Sequence, residues 1–506
     1  MTGIFRSRHN LIAFFLSLLL VVFAASALRF IGLFEYPLAL DELTYVYWGK
    51  VYVSNWENRL FDLDLWVGNY EHPPIGKYLI GLSIVGLSPF GISEIAAARL
   101  IMALLSVATC VLIFFIGREL YDWRTGLVAA LMLAFDPIHL GQSRYALLDV
   151  PMLFFMVAST FFFIRGTKLH DWQSTINLAL SGITFGLAFG TKYIAFTLPI
   201  AFFGVLVSSF ILKRKTNREL FFPKFRLLGY LCWVVFAIVI FVSLWPYLWS
   251  DPIGNLFSSY EFQAVRAIRK QKIFFLGRPY HQAPWFFSLA ILLGSITPFE
   301  LVAMLLGCWL VLRSIFRRQW REGDLLALFW FLAASIFLCF WPVKLAHWVV
   351  ILSPPLSLLA GTGIANLFNH KFLKRVPIIG LVLLLVIPHT LSAIAACPYY
   401  DLYFSPLVGG PQNAVNLYPV GGSIGLKEAA QYLATHCTNG TAVAVRGYPS
   451  LLQYYEPGLI FARAPSSYQK LKDMGFAYIV FQIDFIQEDP EHPVWLAFKD
   501  LPLLRL

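Results

Sequence analysis

Long apolar runs recur through the chain, and they decide the fold class before any motif is considered. The first extends from Leu11 to Leu33, and about 20 apolar residues suffice to cross a bilayer. Hydrocarbon offers no water to backbone N–H and C=O groups, so such runs close their hydrogen bonds internally, as helices. Of the 506 residues, 58% are hydrophobic and 13% charged, and the mean hydropathy is +0.69. That is more apolar surface than an ordinary soluble domain buries. We therefore expect an all-α polytopic membrane protein.

Spanning helices are expected over 11–33, 95–117, 125–141, 148–165, 176–190, 193–212, 227–247, 284–312, 325–342, 347–367 and 374–395, about eleven by the length rule. Only Thr191 and Lys192 separate two of them. The run 78–90 is too short to span and reads as interfacial or as part of a bent helix entry. The first run follows Arg6 and Arg8 and is longer than a signal-peptide core, so it reads as a retained helix. The net charge of +11 is a topology signal rather than a sign of nucleic acid. Arg118 and Arg124, Arg165 and Lys168, Lys213 to Arg218, Arg313 to Arg321, and Lys371 to Arg375 all fall on the side of Arg6 and Arg8. The positive-inside rule makes that side cytoplasmic, and an odd number of spans puts the C-terminus outside.

Three sizeable extracytoplasmic pieces remain: a first loop over 34–94, a middle loop over 248–283, and a tail over 397–506. Residues 1–396 thus form the membrane domain. The tail changes character: "GLKEAAQYLATHC" reads as an amphipathic helix, and "TAVAVRGY" and "AYIVFQID" read as strands. A small α/β domain is expected there. Cys110, Cys232, Cys308 and Cys339 lie in apolar runs as small hydrophobes. Cys397 and Cys437 fall in the outer piece, where an oxidising compartment permits pairing. Asn439-Gly440-Thr441 is a glycosylation sequon on the same side.

Ionisable groups beside a membrane are costly and therefore informative. Here they gather on the outer side. The first loop supplies the adjacent pair Asp41 and Glu42, then Glu71, His72 and Lys77 in "NYEHPPIGKYLIG". Later turns supply Arg144 and Asp149 in "SRYALLDVPM", Lys192, and Lys344 with His347. The middle loop adds Arg266, Arg269, Lys270, Lys272, Arg278 and His281. Carboxylates among cations and aromatics suit an anionic lipid-linked substrate. The cations stabilise charge on a departing phosphate, and a carboxylate takes the proton of an incoming hydroxyl.

Each residue also has a plainer reading. Asp41 and Glu42 can serve as helix N-terminal charges, "HPP" as a rigid turn, Lys77 and Lys192 as lysines reaching the interface, and Arg144 with Asp149 as a pair. His139, His281 and His347 lack metal-ligand spacing. Adjacent helical residues point about 100° apart, so Asp41 and Glu42 cannot serve one reacting atom equally. One is the base and the other an orienter or anchor. The pair is expected to face Lys77, Arg144 and Asp149.

The order of "LDE", "EHPPIGK", "SRYALLDVPM", "FGLAFGTKY", "APWFF" and "CPYYDLYFSPLVGGP" resembles the protein O-mannosyltransferase family and its prokaryotic relatives, in the GT-C superfamily of glycosyltransferases. The resemblance covers nearly the whole chain. It implies an inverting transfer of a sugar from a polyprenyl or dolichyl monophosphate to a hydroxyl of a protein, lipid or envelope glycan. It also implies Asp41 as the catalytic carboxylate beside Glu42, and His72, Lys77, Arg144 and Asp149 as active-site residues. Lys192 and Arg278 are assigned to the lipid phosphate from side and charge. The chain has no room for the large β-trefoil insert of the eukaryotic enzymes. No metal cofactor is expected. A transporter or flippase is the alternative, but it calls for midplane charges and internal repeats, and neither is evident here.

Overall fold

The computed structural model describes residues 8–215, 224–270, 272–368, 399–420 and 423–500, and scattered residues from 387 to 397. It is a helical bundle capped at one end by a small α/β unit. Eight of the described helices are long and apolar enough to cross a membrane, including Leu11–Phe30, Glu94–Leu120, Asp149–Lys168 and Ala346–Asn366. Most of the expected span 374–395 lies outside the described residues.

In chain order, α1 (Arg8–Phe30) leads to a pair in the first long loop, α2 (Glu42–Glu57) and α3 (Ile75–Leu87). These two pack on each other. Next come α4 (Glu94–Leu120), α5 (Trp123–Phe135), the short α6 (Pro137–Gln142), α7 (Asp149–Lys168) and α8 (Trp172–Phe189). A break at Gly190–Lys192 separates α8 from α9 (Thr197–Lys215), and α10 (Lys224–Ser243) follows. The middle loop folds into α11 (Pro252–Lys270) and a hairpin of β1 (Ile273–Phe275) and β2 (Arg278–Tyr280). The membrane helices then resume with α12 (Phe287–Ser295), α13 (Pro298–Phe316), α14 (Glu322–Phe340) and α15 (Ser353–Phe368).

Two expected spans are interrupted, each by a proline. The run 284–312 divides into α12 and α13 at Ile296 and Thr297, where Pro298 takes the first position of the second helix and the Thr297 side chain caps it, accepting from the Glu300 N–H at 3.2 Å. The run 125–141 breaks at Asp136, whose carboxylate accepts the Ile138 N–H at 3.0 Å while Pro137 starts α6. Proline lacks the donor that helix continuation needs, but it is favoured at a helix start. The short run 78–90 forms α3 and a following turn of 3-10 helix.

The core runs through α1, α4, α5, α7, α9, α14 and α15, with Phe114, Leu133, Met152, Trp330 and Leu359 fully buried. Without a hydrophobic drive between helices in lipid, close packing depends on small residues. Gly307 of α13 and Gly363 of α15 supply it: a Cβ on Gly307 would overlap the Leu359 carbonyl, and one on Gly363 would overlap the Ala303 carbonyl. His139 is also inside the bundle, with Nδ1 2.9 Å from the buried Arg29 guanidinium.

After the membrane helices, three parallel strands form a sheet in the order β4 (Ile460–Arg463), β3 (Ala442–Arg446), β5 (Tyr478–Phe481). The helix Leu426–His436 precedes β3, and short crossover helices connect the strands, as parallel pairing requires. Cys397 and Cys437 are both unbonded, and Cys397 is exposed, against Tyr400. The permitted disulfide is not formed. Asn439 is exposed in the turn before β3.

Gly307→Leu is expected to force α13 and α15 apart, costing more than the ~1–3 kcal/mol typical of overpacking because the obstacle is backbone. Thermal unfolding in detergent should show a clear fall in Tm, and a Gly307→Leu protein as stable as wild type would contradict this packing.

Candidate active site

The chain leaving α1 turns sharply before α2, and one arginine holds that turn. Arg99 of α4 is 1% exposed. Its Nη1 donates to the carbonyls of Leu33 (3.2 Å) and Tyr36 (2.7 Å), and Nη2 donates to that of Pro37 (2.8 Å). Nε and Nη2 then form a two-pronged pair with the Glu42 carboxylate, both at 2.8 Å. Glu42 is fully buried and also accepts the backbone N–H groups of Ala39 and Ala146, each at 2.8 Å. Its four acceptances leave it no capacity for a substrate, and they join α2 to α4 and to the turn before α7.

That turn presents Asp41. It stands at the N-cap of α2, yet its side chain makes no capping bond and is solvent-accessible. It lines a cavity of about 600 Å³ between the membrane helices and the C-terminal unit, with Lys272, Lys344, His347, Tyr400, Tyr448 and Asp484 among the other lining residues. Enclosure by the surrounding protein pushes the Asp41 carboxyl above the usual carboxylate range. Lys192 opposes that rise, and Glu71 and Asp149 add to it.

Beside it, the end of α8 and the start of α7 meet, because the two helices pack antiparallel. Lys192 follows α8 and Asp149 opens α7; the ammonium bonds both carboxylate oxygens, at 2.8 and 2.9 Å. The pair is 5% and 2% exposed. His347 Nε2 lies 3.9 Å from Asp149 Oδ2, and the Lys192 ammonium stands 5.7 Å from the Trp348 ring centre. This is a cation–carboxylate–imidazole row in a low-dielectric setting, where each charge acts more strongly than in water.

The "EHPPIGK" segment closes another side. Lys77, fully buried, donates to the carbonyls of Asn69 (2.6 Å) and His72 (2.8 Å) and to the Asn69 side chain (3.0 Å). All three ammonium protons are thus used on the loop, which holds Asn69 at a φ of 54°. His72 is half-buried, with Nδ1 3.2 Å from the Gln263 amide of α11. Burial, then the fields of Lys192, Lys77 and His347, keep its imidazole well below the ordinary histidine pKa, hence neutral. The prolines seat the following helix: the Ile75 N–H reaches the Gly190 carbonyl at 2.9 Å, tying this loop to the α8–α9 break.

The other expected cations are placed differently. Arg144 turns to the C-terminal end of α1, donating to the carbonyls of Leu28 and Ile31 at 2.8 Å each, between the rings of Tyr36 and Tyr400. Arg278 is exposed on β2, bonded to the Tyr280 hydroxyl at 2.7 Å, and does not line the cavity. Lys344 lines the cavity, but its ammonium reaches the carbonyls of Leu338 and Cys339. The side chains of Arg266, Arg269 and Lys270 lie outside the described residues. Sequence reasoning missed Arg99, a lone charge in "IAAARLIMALL", whose cost in an apolar helix was the available signal. It also missed Asp401, which accepts the hydroxyls of Tyr36 (2.9 Å) and Tyr145 (3.1 Å). Among the described residues, no three His, Cys, Asp or Glu side chains are grouped to hold a metal ion.

Residues 71–245 match the protein family described as dolichyl-phosphate-mannose-protein mannosyltransferase. No curated protein matches the chain in sequence. Among solved structures, ArnT from Cupriavidus metallidurans in the apo state is 17% identical, with a TM-score of 0.56 covering 96% of this chain and 90% of that one. The same protein bound to undecaprenyl phosphate gives 17%, 0.56, 94% and 88%. The oligosaccharyltransferase AglB from Archaeoglobus fulgidus, in complex with an inhibitory peptide and a dolichol-phosphate, is 14% identical, with a TM-score of 0.54 over 97% of this chain and 72% of that one. The shared architecture is the GT-C fold.

Glu42→Ala leaves the Arg99 guanidinium buried without its carboxylate, a change expected to cost about 3–5 kcal/mol. Thermal unfolding should show a large loss in Glu42→Ala and a smaller one in a Glu42→Leu, Arg99→Met double variant; equal losses would contradict the pairing.

Proposed function

We propose that this chain is a membrane glycosyltransferase of the GT-C type that moves a hexose such as mannose from a polyprenyl or dolichyl monophosphate to an acceptor hydroxyl, with inversion and with Asp41 as general base. The observation that carries this reading is the contrast within one acidic pair. Glu42 is saturated with hydrogen bonds, whereas Asp41 has no capping partner and opens to the cavity. Two proteins of the same fold were captured with lipid phosphates, undecaprenyl phosphate on ArnT and dolichol-phosphate on AglB, which supports a donor of that class here. By the positive-inside pattern of the basic loops, the cavity faces the outer side of the membrane.

The chemistry follows from charge placement. The acceptor O–H lies against Asp41, which takes its proton as the oxygen attacks C1 of the sugar. The C1–O bond to phosphate breaks on the opposite face, and the lipid monophosphate leaves with the bonding pair. Lys192 and His347 stabilise the charge gathering on that phosphate, an effect exerted most strongly where water is excluded. Asp149 orients both, and Lys192 helps keep Asp41 ionised. Neutral His72 offers a hydrogen bond without adding charge. Lys77 and Arg144 act at one remove, by fixing the loops that carry His72 and Tyr36. Arg278 lies outside the cavity and takes no part in these steps.

Two outcomes test this reading. With a purified polyprenyl-phosphate hexose as donor, Asp41→Asn should lower turnover by about 10²–10⁴-fold while Tm stays at the wild-type value; undiminished transfer would exclude Asp41 as base. Activity requires ionised Asp41, so the rate should rise with pH through its elevated pKa. Lys192→Gln removes the charge that opposes that elevation, so the acidic limb of the kcat/KM profile should move to higher pH. A limb that stays fixed or moves down would place Lys192 away from the base.

A further inference from the structure

The C-terminal side of the cavity takes no part in the steps above, yet it is built as a binding surface. Tyr448, after β3, lines it, as do Asp484 and Glu488 on the helix Ile483–Glu488. The two acids are one helical turn apart and so share a face. Among the described residues no ion pair reaches either of them; Asp484 bonds with Tyr448 and accepts the Phe485 N–H at 2.9 Å and the Gln482 amide at 3.5 Å, whereas Glu488 feels Lys272 and Arg446 only at longer range. Burial pushes the Asp484 carboxyl up to about 7, helped by the charge of Glu488.

A second observation comes from the membrane side. Gln142, the last residue of α6, lines the same cavity and is 7% exposed, and its side-chain Oε1 has no hydrogen-bond partner. Buried acceptors are rarely left unpaired, because the loss of water is uncompensated. An O–H or N–H donor entering the cavity would satisfy it. The walls therefore present acceptors with capacity left, the Glu488 carboxylate on one side and the Gln142 oxygen on the other, in a cavity also lined by Tyr400, Tyr403 and Tyr448.

We propose that this half of the cavity is the acceptor subsite and that it takes a hydroxyl-rich glycan carrying no negative charge. Sugar hydroxyls donate to Asp484, Glu488 and the Gln142 oxygen, and the tyrosine rings cover the apolar sugar faces. The assignment rests on Asp41 being the base for the incoming hydroxyl. A phosphorylated acceptor would meet the Asp484 and Glu488 carboxylates, which Lys272 and Arg446 offset only at longer range. A peptide brings a carbonyl with every N–H, and this wall supplies few donors for it.

The test measures binding apart from turnover, with the full chain in detergent micelles and four probes: mannotriose, a chitosan trimer, mannose 6-phosphate and a threonine-containing hexapeptide. At least one of the two trimers should bind by saturation-transfer NMR. An Asp484→Asn, Glu488→Gln double variant should weaken that binding about tenfold or more at unchanged Tm, and Gln142→Leu should weaken it independently. The proposal is overturned if neither trimer binds, if both variants bind like wild type, or if the phosphorylated sugar or the peptide is the preferred probe. Asp41→Asn should keep trimer binding while losing transfer. Undiminished transfer in that variant would remove the Asp41 reading and leave the binding result legible by itself.

Discussion

The geometry of the candidate site depends on one buried ion pair. Arg99 and Glu42 are two charges withdrawn from water, an arrangement whose desolvation cost can exceed its Coulombic gain. It persists here because every remaining donor and acceptor is used: the guanidinium holds the carbonyls of Leu33, Tyr36 and Pro37, and the carboxylate holds two backbone N–H groups. The pair therefore acts as a jig for the 33–42 turn. Its product is the position of Asp41, one residue away, with a carboxylate left free of such ties. In the proposed reaction Asp41 exchanges a proton and so has to stay free of anchoring bonds, while Glu42 is the anchor.

The same economy recurs around the cavity. Lys77 and Arg144 carry charges of the sign a phosphate prefers, but Lys77 spends its donors on its own loop and Arg144 turns both Nη groups to carbonyls at the end of α1. Lys192 is held by Asp149, with His347 behind it. A row of this kind keeps a positive group in place without the reorganisation that a free lysine undergoes when charge develops. Tyr36 and Asp401 extend the framework to the C-terminal side, since Asp401 accepts both Tyr36 and Tyr145. The cavity thus joins parts of the chain separated by hundreds of residues.

Much of the bundle was legible in the sequence because hydrocarbon enforces a length and a composition on each span. The break at Thr191–Lys192, the short α3 and the change of character in the tail were legible for the same reason. The two proline interruptions were less so: an apolar run continues across Asp136–Pro137 and across Thr297–Pro298, and only capping geometry reveals that the helix restarts. Among site residues, the acidic pair and "EHPPIGK" were visible as charges where charge is costly. Which of those charges faces a substrate was not, because a lysine that anchors carbonyls and one that meets a phosphate look alike in a string of letters.

What the sequence by itself determined is that the chain is a bundle of apolar helices, the end of the bundle where ionisable groups collect, and the identity of the two acids after the first helix. These follow from local rules, the partition of side chains between lipid and water. What only the tertiary structure decided is the division of labour. Arg99 lies 57 positions from Glu42 and Lys192 lies 43 from Asp149. Pairings at such separations depend on how the helices pack, and no local pattern encodes them. The free carboxylate of Asp41 is defined by the bonds that others make and it does not, a property of the assembled fold alone.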